Sequence, residues 1–109
     1  MSRMQSRIKK VQQALLTVSN DVFQYEAAEK TDQYIVWAED AEGSSVEADN
    51  HKIHQSIQGT IDYFTKTEFD PVAEKIQDAL NKARISFRLE SVQFEEETGY
   101  KHFEWVWEV

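Results

Sequence analysis

The order of apolar and polar residues along the chain predicts two amphipathic helices. In residues 2–19, apolar side chains recur every three or four positions, the spacing that places them on one face of a helix. A second helix is predicted to begin at Asp70, which takes the N-cap position, with Pro71 as its first helical residue. The buried stripe of this helix is expected to be Val72, Ile76, Ala79, Leu80 and Ala83.

Five further segments have apolar patterns that predict strands. They are residues 22–28, 33–40, 53–65, 85–94 and 100–109. The second segment is apolar on both faces, so we expect it to be a central strand covered on both sides. The third alternates cleanly, which predicts one buried face and one face in water.

Local irregularities are also predicted. The apolar phase slips around Glu90 and Ser91, which indicates a β-bulge. Gly59 lies inside the long third strand and indicates a bulge or the close approach of another chain. Residues 96–99 are predicted to form the turn of a hairpin between the last two strands. Residues 40–50 are rich in Asp, Glu, Ser and Gly, and we expect an acidic, exposed loop there.

The predicted order is therefore α-β-β-β-α-β-β. The chain has 109 residues, a length that suits one domain, which we take to span residues 1–109. We expect an α+β fold in which two helices pack on a mostly antiparallel sheet.

Composition narrows the functional classes. The formal net charge of -8 disfavours specific nucleic-acid binding, which draws on clustered Lys and Arg. The chain has no Cys, which excludes disulfides and thiolate metal sites and suits a reducing compartment. No apolar run reaches the roughly 20 residues that span a membrane, and the first residues do not resemble a secretory signal. We expect a cytoplasmic protein without membrane contact.

Candidate chemistry is sparse. His51 and His54 lie near Asp49, but residues three apart on a strand point to opposite faces, and His102 is distant in sequence. We therefore predict no metal site. The acidic run 95–97 borders a turn in water, where no carboxylate would be desolvated as acid-base catalysis requires. Phosphate-loop, dinucleotide and nucleophile-elbow motifs are absent from the sequence. We expect no cofactor and no enzymatic activity.

The C-terminal strand carries Phe103, Trp105 and Trp107, which is a heavy aromatic load. One interpretation is that these rings form the core. The other is that they remain partly exposed until a partner covers them, because aromatic residues are enriched at interfaces.

Several short sequence segments are similar to those of a known family. They are YIVW at 34–37, IDYFTK at 61–66, DP at 70–71, IQDAL at 76–80 and FEEETGYKH at 94–102. With the order of elements, they make the chain resemble the tail-terminator, or tail-completion, proteins of long-tailed bacteriophages and prophages. The resemblance covers most of the chain and consists of packing and turn phrases.

The resemblance implies a structural role without a cofactor or a reaction. Proteins of this family form a hexameric ring on the tail tube, stop its polymerisation and present a surface to the head connector protein. The expected partners are copies of the same chain, the tail tube protein and the head connector protein. Such a protein assembles in the host cytoplasm and then resides at the tail–head junction of the virion.

The contact residues that we predict are aromatic residues of the last strand and acidic residues of two segments. They are Phe103, Trp105, Trp107, Asp40, Glu42, Glu47, Asp49, Glu95, Glu96 and Glu97. The alternative is a small acidic adaptor or inhibitor module that binds a single protein partner.

Overall fold

A computed structural model describes residues 3–48 and 51–109, with the backbone alone for residues 44–48 and 51–54. The elements are α1 (Arg3–Leu16), β1 (Val22–Gln24), β2 (Gln33–Ala48), β3 (His51–Thr65), α2 (Val72–Lys82), β4 (Ser86–Glu95) and β5 (Tyr100–Glu108). This order and the α+β class agree with the prediction.

The five strands form one sheet in the order β1-β2-β3-β5-β4. Only β1 runs parallel to its neighbour, and the other pairs are antiparallel. The edges are therefore β1, which is three residues long, and β4, which is ten residues long. The C-terminal strand β5 lies inside the sheet between β3 and β4.

Both helices pack on the same face of the sheet, which we call the front face. α1 contributes Ile8, Val11, Ala14 and Leu15 to the core, and α2 contributes Ala73, Ile76 and Leu80. The sheet contributes Ile35, Trp37, Ile57, Ile61, Tyr63, Trp105 and Trp107. The predicted stripes of the helices are confirmed in Ile76 and Leu80, whereas Val72, Ala79 and Ala83 are only half-buried.

The two buried indoles of β5 each donate a hydrogen bond. Trp105 donates its Nε1–H to Oε1 of Gln77 on α2 at 3.0 Å. Trp107 donates its Nε1–H to the Thr60 carbonyl at 3.0 Å. Because both donors are satisfied, the two largest side chains of β5 can be fully buried without a desolvation penalty.

On the opposite, back face, rings from three strands form a stack. Tyr34, Phe64 and His102 are register partners on β2, β3 and β5. Ring centroids are 4.7 Å apart for Tyr34 and Phe64 and 4.2 Å apart for Phe64 and His102. Residues 25–32 lead from β1 back to the start of β2, and the Tyr100 hydroxyl donates to the Thr31 carbonyl at 2.6 Å. The prediction that β2 is covered on both faces holds, with side chains in place of a second helical layer.

The acidic loop predicted at residues 40–50 is wrong for its described residues. β2 continues to Ala48 and pairs with β3 from His51 onward as a long two-stranded ribbon. The β2 part of the ribbon consists mainly of Glu, Gly, Ser and Ala, so it lacks the apolar alternation that marks a strand, although β3 opposite it carries Ile53 and Ile57. The ribbon contributes to an elongated shape of 52 × 24 × 24 Å.

Gly59 marks a close approach within the chain itself. A Cβ atom at this position would lie 2.1 Å from the Ala38 carbonyl oxygen and 2.3 Å from Cζ2 of Trp107. Opposite it, Asp40 is an extra residue in β2, which is a bulge. The bulge predicted in β4 is confirmed, because the register with β5 shifts at Glu90, between Leu89 and Ser91.

The first strand is shorter than predicted. It ends at Gln24 because Tyr25 takes a φ of 73°, outside the strand region. Within the described residues, neither helix is long and apolar enough to cross a membrane.

Candidate functional site

The exposed edge of the sheet carries a row of apolar side chains. Leu89, Val92 and Phe94 lie on β4 and are 48%, 44% and 66% exposed. Their register partners on β5 are Trp105, Phe103 and Lys101, so all three residues belong to the front face. We call these three residues the edge row.

The edge row is exposed because the core ends beneath it. Phe87, at the start of β4, still packs against the buried cluster. Farther along β4, each residue of the row is at least two-fifths exposed. Among the described residues, one edge of the β4 backbone also has no neighbouring strand. An unpaired strand edge beside exposed apolar side chains is a surface that another polypeptide can cover.

Two of the predicted interface aromatics do not form this surface. Trp105 and Trp107 are 0% exposed and belong to the core. The expectation that they are partly exposed is wrong, because β5 is an interior strand whose front face is covered by the helices. Phe103 is half-buried, and its ring is stacked on that of Trp105 with a centroid distance of 5.8 Å.

The predicted acidic contact residues fall in two separate regions of the sheet. Asp40 and Glu42 are exposed on the ribbon, and Gln55 donates to Oε2 of Glu42 at 2.9 Å. Glu47 lies in the part of the ribbon for which the backbone alone is described, and Asp49 lies outside the described residues.

The second acidic segment is the turn between β4 and β5. Glu96 and Glu97 are exposed, whereas Glu95 is half-buried. Gly99 closes the turn with a φ of 79° and donates its N–H to the Glu95 carbonyl at 2.8 Å. Register places this turn beside the start of β2, about 50 Å along the strand from Ala48. The two acidic segments are therefore separate surfaces.

Asp70 is a half-buried carboxylate with a perturbed pKa. Burial by itself would raise the pKa of Asp70. Hydrogen bonds to its carboxylate outweigh this effect and lower the pKa. The donors are Thr65, Tyr63, the Val72 N–H and Gln33. Burial, followed by the hydrogen bond to Asp70, raises the pKa of Tyr63. These bonds connect the start of α2 to the sheet. The shifted pKa values of Asp70 and Tyr63 therefore reflect a structural role of the two side chains.

Metal-binding geometry was considered for the histidines. No three His, Asp or Glu side chains among the described ones are arranged to hold a metal ion. The His51 and His54 side chains and Asp49, which formed the candidate in the sequence, lie outside that set. Nε2 of His102 lies 2.7 Å from Oδ1 of Asp62, and its Nδ1 lies 3.8 Å from Oε2 of Glu95.

Sequence reasoning identified β4 as a strand but missed its edge row. The alternation of Leu89, Val92 and Phe94 is the same for a central strand and an edge strand, so it contains no signal for exposure. No model of a known protein family matches the chain. A search among curated proteins also gave no match.

Proposed function

We propose that the chain is a structural assembly protein of a phage virion, similar to a tail terminator. In this role, copies form a hexameric ring that caps the tail tube protein and joins it to the head connector protein. The role requires no catalysis and no cofactor. The observation that carries the proposal is the β4 edge with its row of exposed apolar residues.

The edge row supports a contact between protein subunits. Burying such side chains against a neighbour removes apolar surface from water, which stabilises the contact by about 25 cal/mol for each Å². The free backbone edge of β4 can add hydrogen bonds to a neighbour's strand. The other edge strand, β1, has only three residues, against ten in β4. Pairing of β4 with β1 of the next subunit would therefore be too short to continue the sheet around the ring. The neighbour would therefore meet the edge row with a different patch, which is the kind of contact that closes into rings.

The two acidic segments support separate contacts above and below such a ring. The exposed acids Asp40 and Glu42 lie seven and nine residues along β2 from Gln33, about 23–30 Å from the end of the sheet that carries the 95–97 turn. A protein that bridges a tube and a connector needs two such surfaces. The formal charge of -8 per chain would also repel DNA phosphates, so DNA could pass through the ring without binding.

The test is complementation of a phage that lacks this gene. Phe94→Glu and Val92→Glu each place a charge in the edge row and should reduce the yield of joined particles by tenfold or more. Gln93→Glu is the matched control, because it makes the same change in charge on the opposite face of the same strand. Circular dichroism of each purified variant verifies folding.

Equal yields from folded Phe94→Glu, Val92→Glu and Gln93→Glu variants would show that the edge row is not an assembly contact. Normal particles without any copy of the gene would refute the tail role as a whole. In that case the adaptor or inhibitor alternative would become the better account.

A further inference from the structure

The back face contains a cavity that the assembly role does not use. Its volume is about 330 Å³, within the lower range of sites that bind small molecules or single side chains. Its floor consists of Tyr34, Phe64 and Tyr100. The Tyr100 ring stands edge-on to the other two, with centroid distances of 5.6 Å to Tyr34 and 5.9 Å to Phe64. The Tyr34 and Phe64 rings are therefore nearly parallel, and the Tyr100 ring lies roughly perpendicular to both.

A fourth ring is held at the rim by a strained backbone. Tyr25 lines the cavity and is 63% exposed. Its φ of 73° and the 2.9 Å bond from the Glu26 N–H to the Gln24 carbonyl form a γ-turn of the rare, positive-φ kind. This conformation is unfavourable for a residue other than glycine, and strained residues of this kind cluster at functional sites.

The charges around the cavity favour a cation. The carboxylates of Glu26, Asp62 and Glu95 line it, together with the ammonium of Lys30. Asp62 and Glu95 also lie 2.7 and 3.8 Å from the ring nitrogens of His102, so Glu26 is the carboxylate that we expect to contribute most to a bound cation. Aromatic faces attract cations through the negative potential above the ring. The molecule already provides an example, because Nζ of Lys66 lies 4.8 Å from the centroid of the Tyr100 ring.

The surroundings favour a cation that belongs to a protein. The cavity includes Glu95 and Thr98, so it opens beside the turn on which Glu96 and Glu97 are exposed. An extended acidic border complements a basic segment of polypeptide, in which one side chain enters the cavity and its neighbours face the turn. We infer that the aromatic cavity on the back face binds the side chain of a lysine or arginine from a partner protein. This inference does not depend on the proposed role in tail assembly.

The test is an NMR titration of the full chain with N-acetyl-lysine methylamide and N-acetyl-arginine methylamide. Choline and the neutral N-acetyl-norleucine methylamide are titrated in parallel. At least one of the two amino-acid cations should give saturable shifts of the Tyr25, Tyr34, Phe64 and Tyr100 signals, weakened by added salt. Binding of norleucine with equal affinity, binding of choline alone, or no saturable shift at these rings would overturn the inference.

Matched variants separate binding from folding. Tyr25→Gly removes the rim ring and relieves the positive φ, so it should fold normally while affinity falls about fivefold. Phe69→Gly is its control, since Phe69 is 89% exposed, has a φ of 52° and is not among the residues lining the cavity. Glu26→Gln should weaken binding about twofold, and Glu29→Gln, which lies outside the cavity, should not. Equal affinities within both pairs would overturn the inference.

Discussion

The Tyr63 hydroxyl donates a hydrogen bond of 2.5 Å to Oδ2 of Asp70, which ties the end of β3 to the start of α2. The same oxygen accepts hydrogen bonds from Thr65 at 2.6 Å and from Gln33 at 2.8 Å. Oδ1 accepts from the Val72 N–H at 2.9 Å, so the Asp70 side chain caps the first turn of α2 as predicted, although the helix begins at Val72 with Pro71 in the N-cap position, one residue later than expected. One carboxylate thus joins β2, β3 and α2.

Removing this carboxylate should destabilise the fold. Asp70→Ala deletes the helix cap and leaves the buried Thr65 and Tyr63 hydroxyls without their acceptor. We expect the free energy of unfolding to fall by about 2–4 kcal/mol, measured by urea denaturation. The exposed Glu68 provides the control, and Glu68→Ala should change stability by less than about 0.5 kcal/mol. Similar losses from both variants would contradict the joining role of Asp70.

Stability in acid should depend on the same group. Because hydrogen bonds lower the pKa of Asp70 in the folded state, its ionised form contributes stability above its unfolded value near 3.8. That contribution is lost as pH falls through the folded-state pKa. Asp70→Asn lacks the titrating group, so its deficit relative to the natural chain should be largest near pH 7 and shrink below about pH 4. A deficit that stays constant from pH 7 to pH 3 would contradict the lowered pKa.

Two glycines should respond differently to the same change. Gly59→Ala places a methyl group against the Ala38 carbonyl and the Trp107 ring, neither of which can move freely, and should cost about 3 kcal/mol. Gly43→Ala meets the end of the Glu108 side chain, which can rotate, and should cost less than about 1 kcal/mol. Thermal unfolding of the two variants checks the difference, and equal melting temperatures would refute the close approach at Gly59.

Substitutions at Trp105 and at Phe94 should differ in their effect on stability, because one ring is in the core and the other is on the proposed assembly surface. Trp105→Ala removes a fully buried indole and should lower the free energy of unfolding by about 3–5 kcal/mol. Phe94→Ala removes an exposed ring and should change it by less than about 0.5 kcal/mol. Chemical denaturation measures the free energy of unfolding of both variants. A stable Trp105→Ala variant would contradict the assignment of Trp105 to the core.

The sequence predicted the features that depend on local chemistry. The cap at Asp70, the bulge at Glu90 and the turn at Gly99 each rest on a few neighbouring residues, and the structure contains all three. The order of elements follows from apolar spacings of two residues in the strands and three to four residues in the helices. The buried residues of the core show the same spacings.

The features that the sequence missed depend on pairing between distant segments. Beyond Asp40, β2 has no regular apolar alternation, so its extended form comes from pairing with β3. The exposure of Phe94 follows from the position of β4 at the sheet edge. The aromatic cavity exists because register brings Tyr34 beside Phe64, and neither residue signals this alone.

The central claim, that this chain terminates and joins phage tails, is tested most directly by electron microscopy of an induced lysate lacking the gene. The account predicts filled heads beside separate tails, some of them longer than normal, and recovery of joined virions when the gene is supplied on a plasmid. Normal virions in the lysate lacking the gene would contradict it.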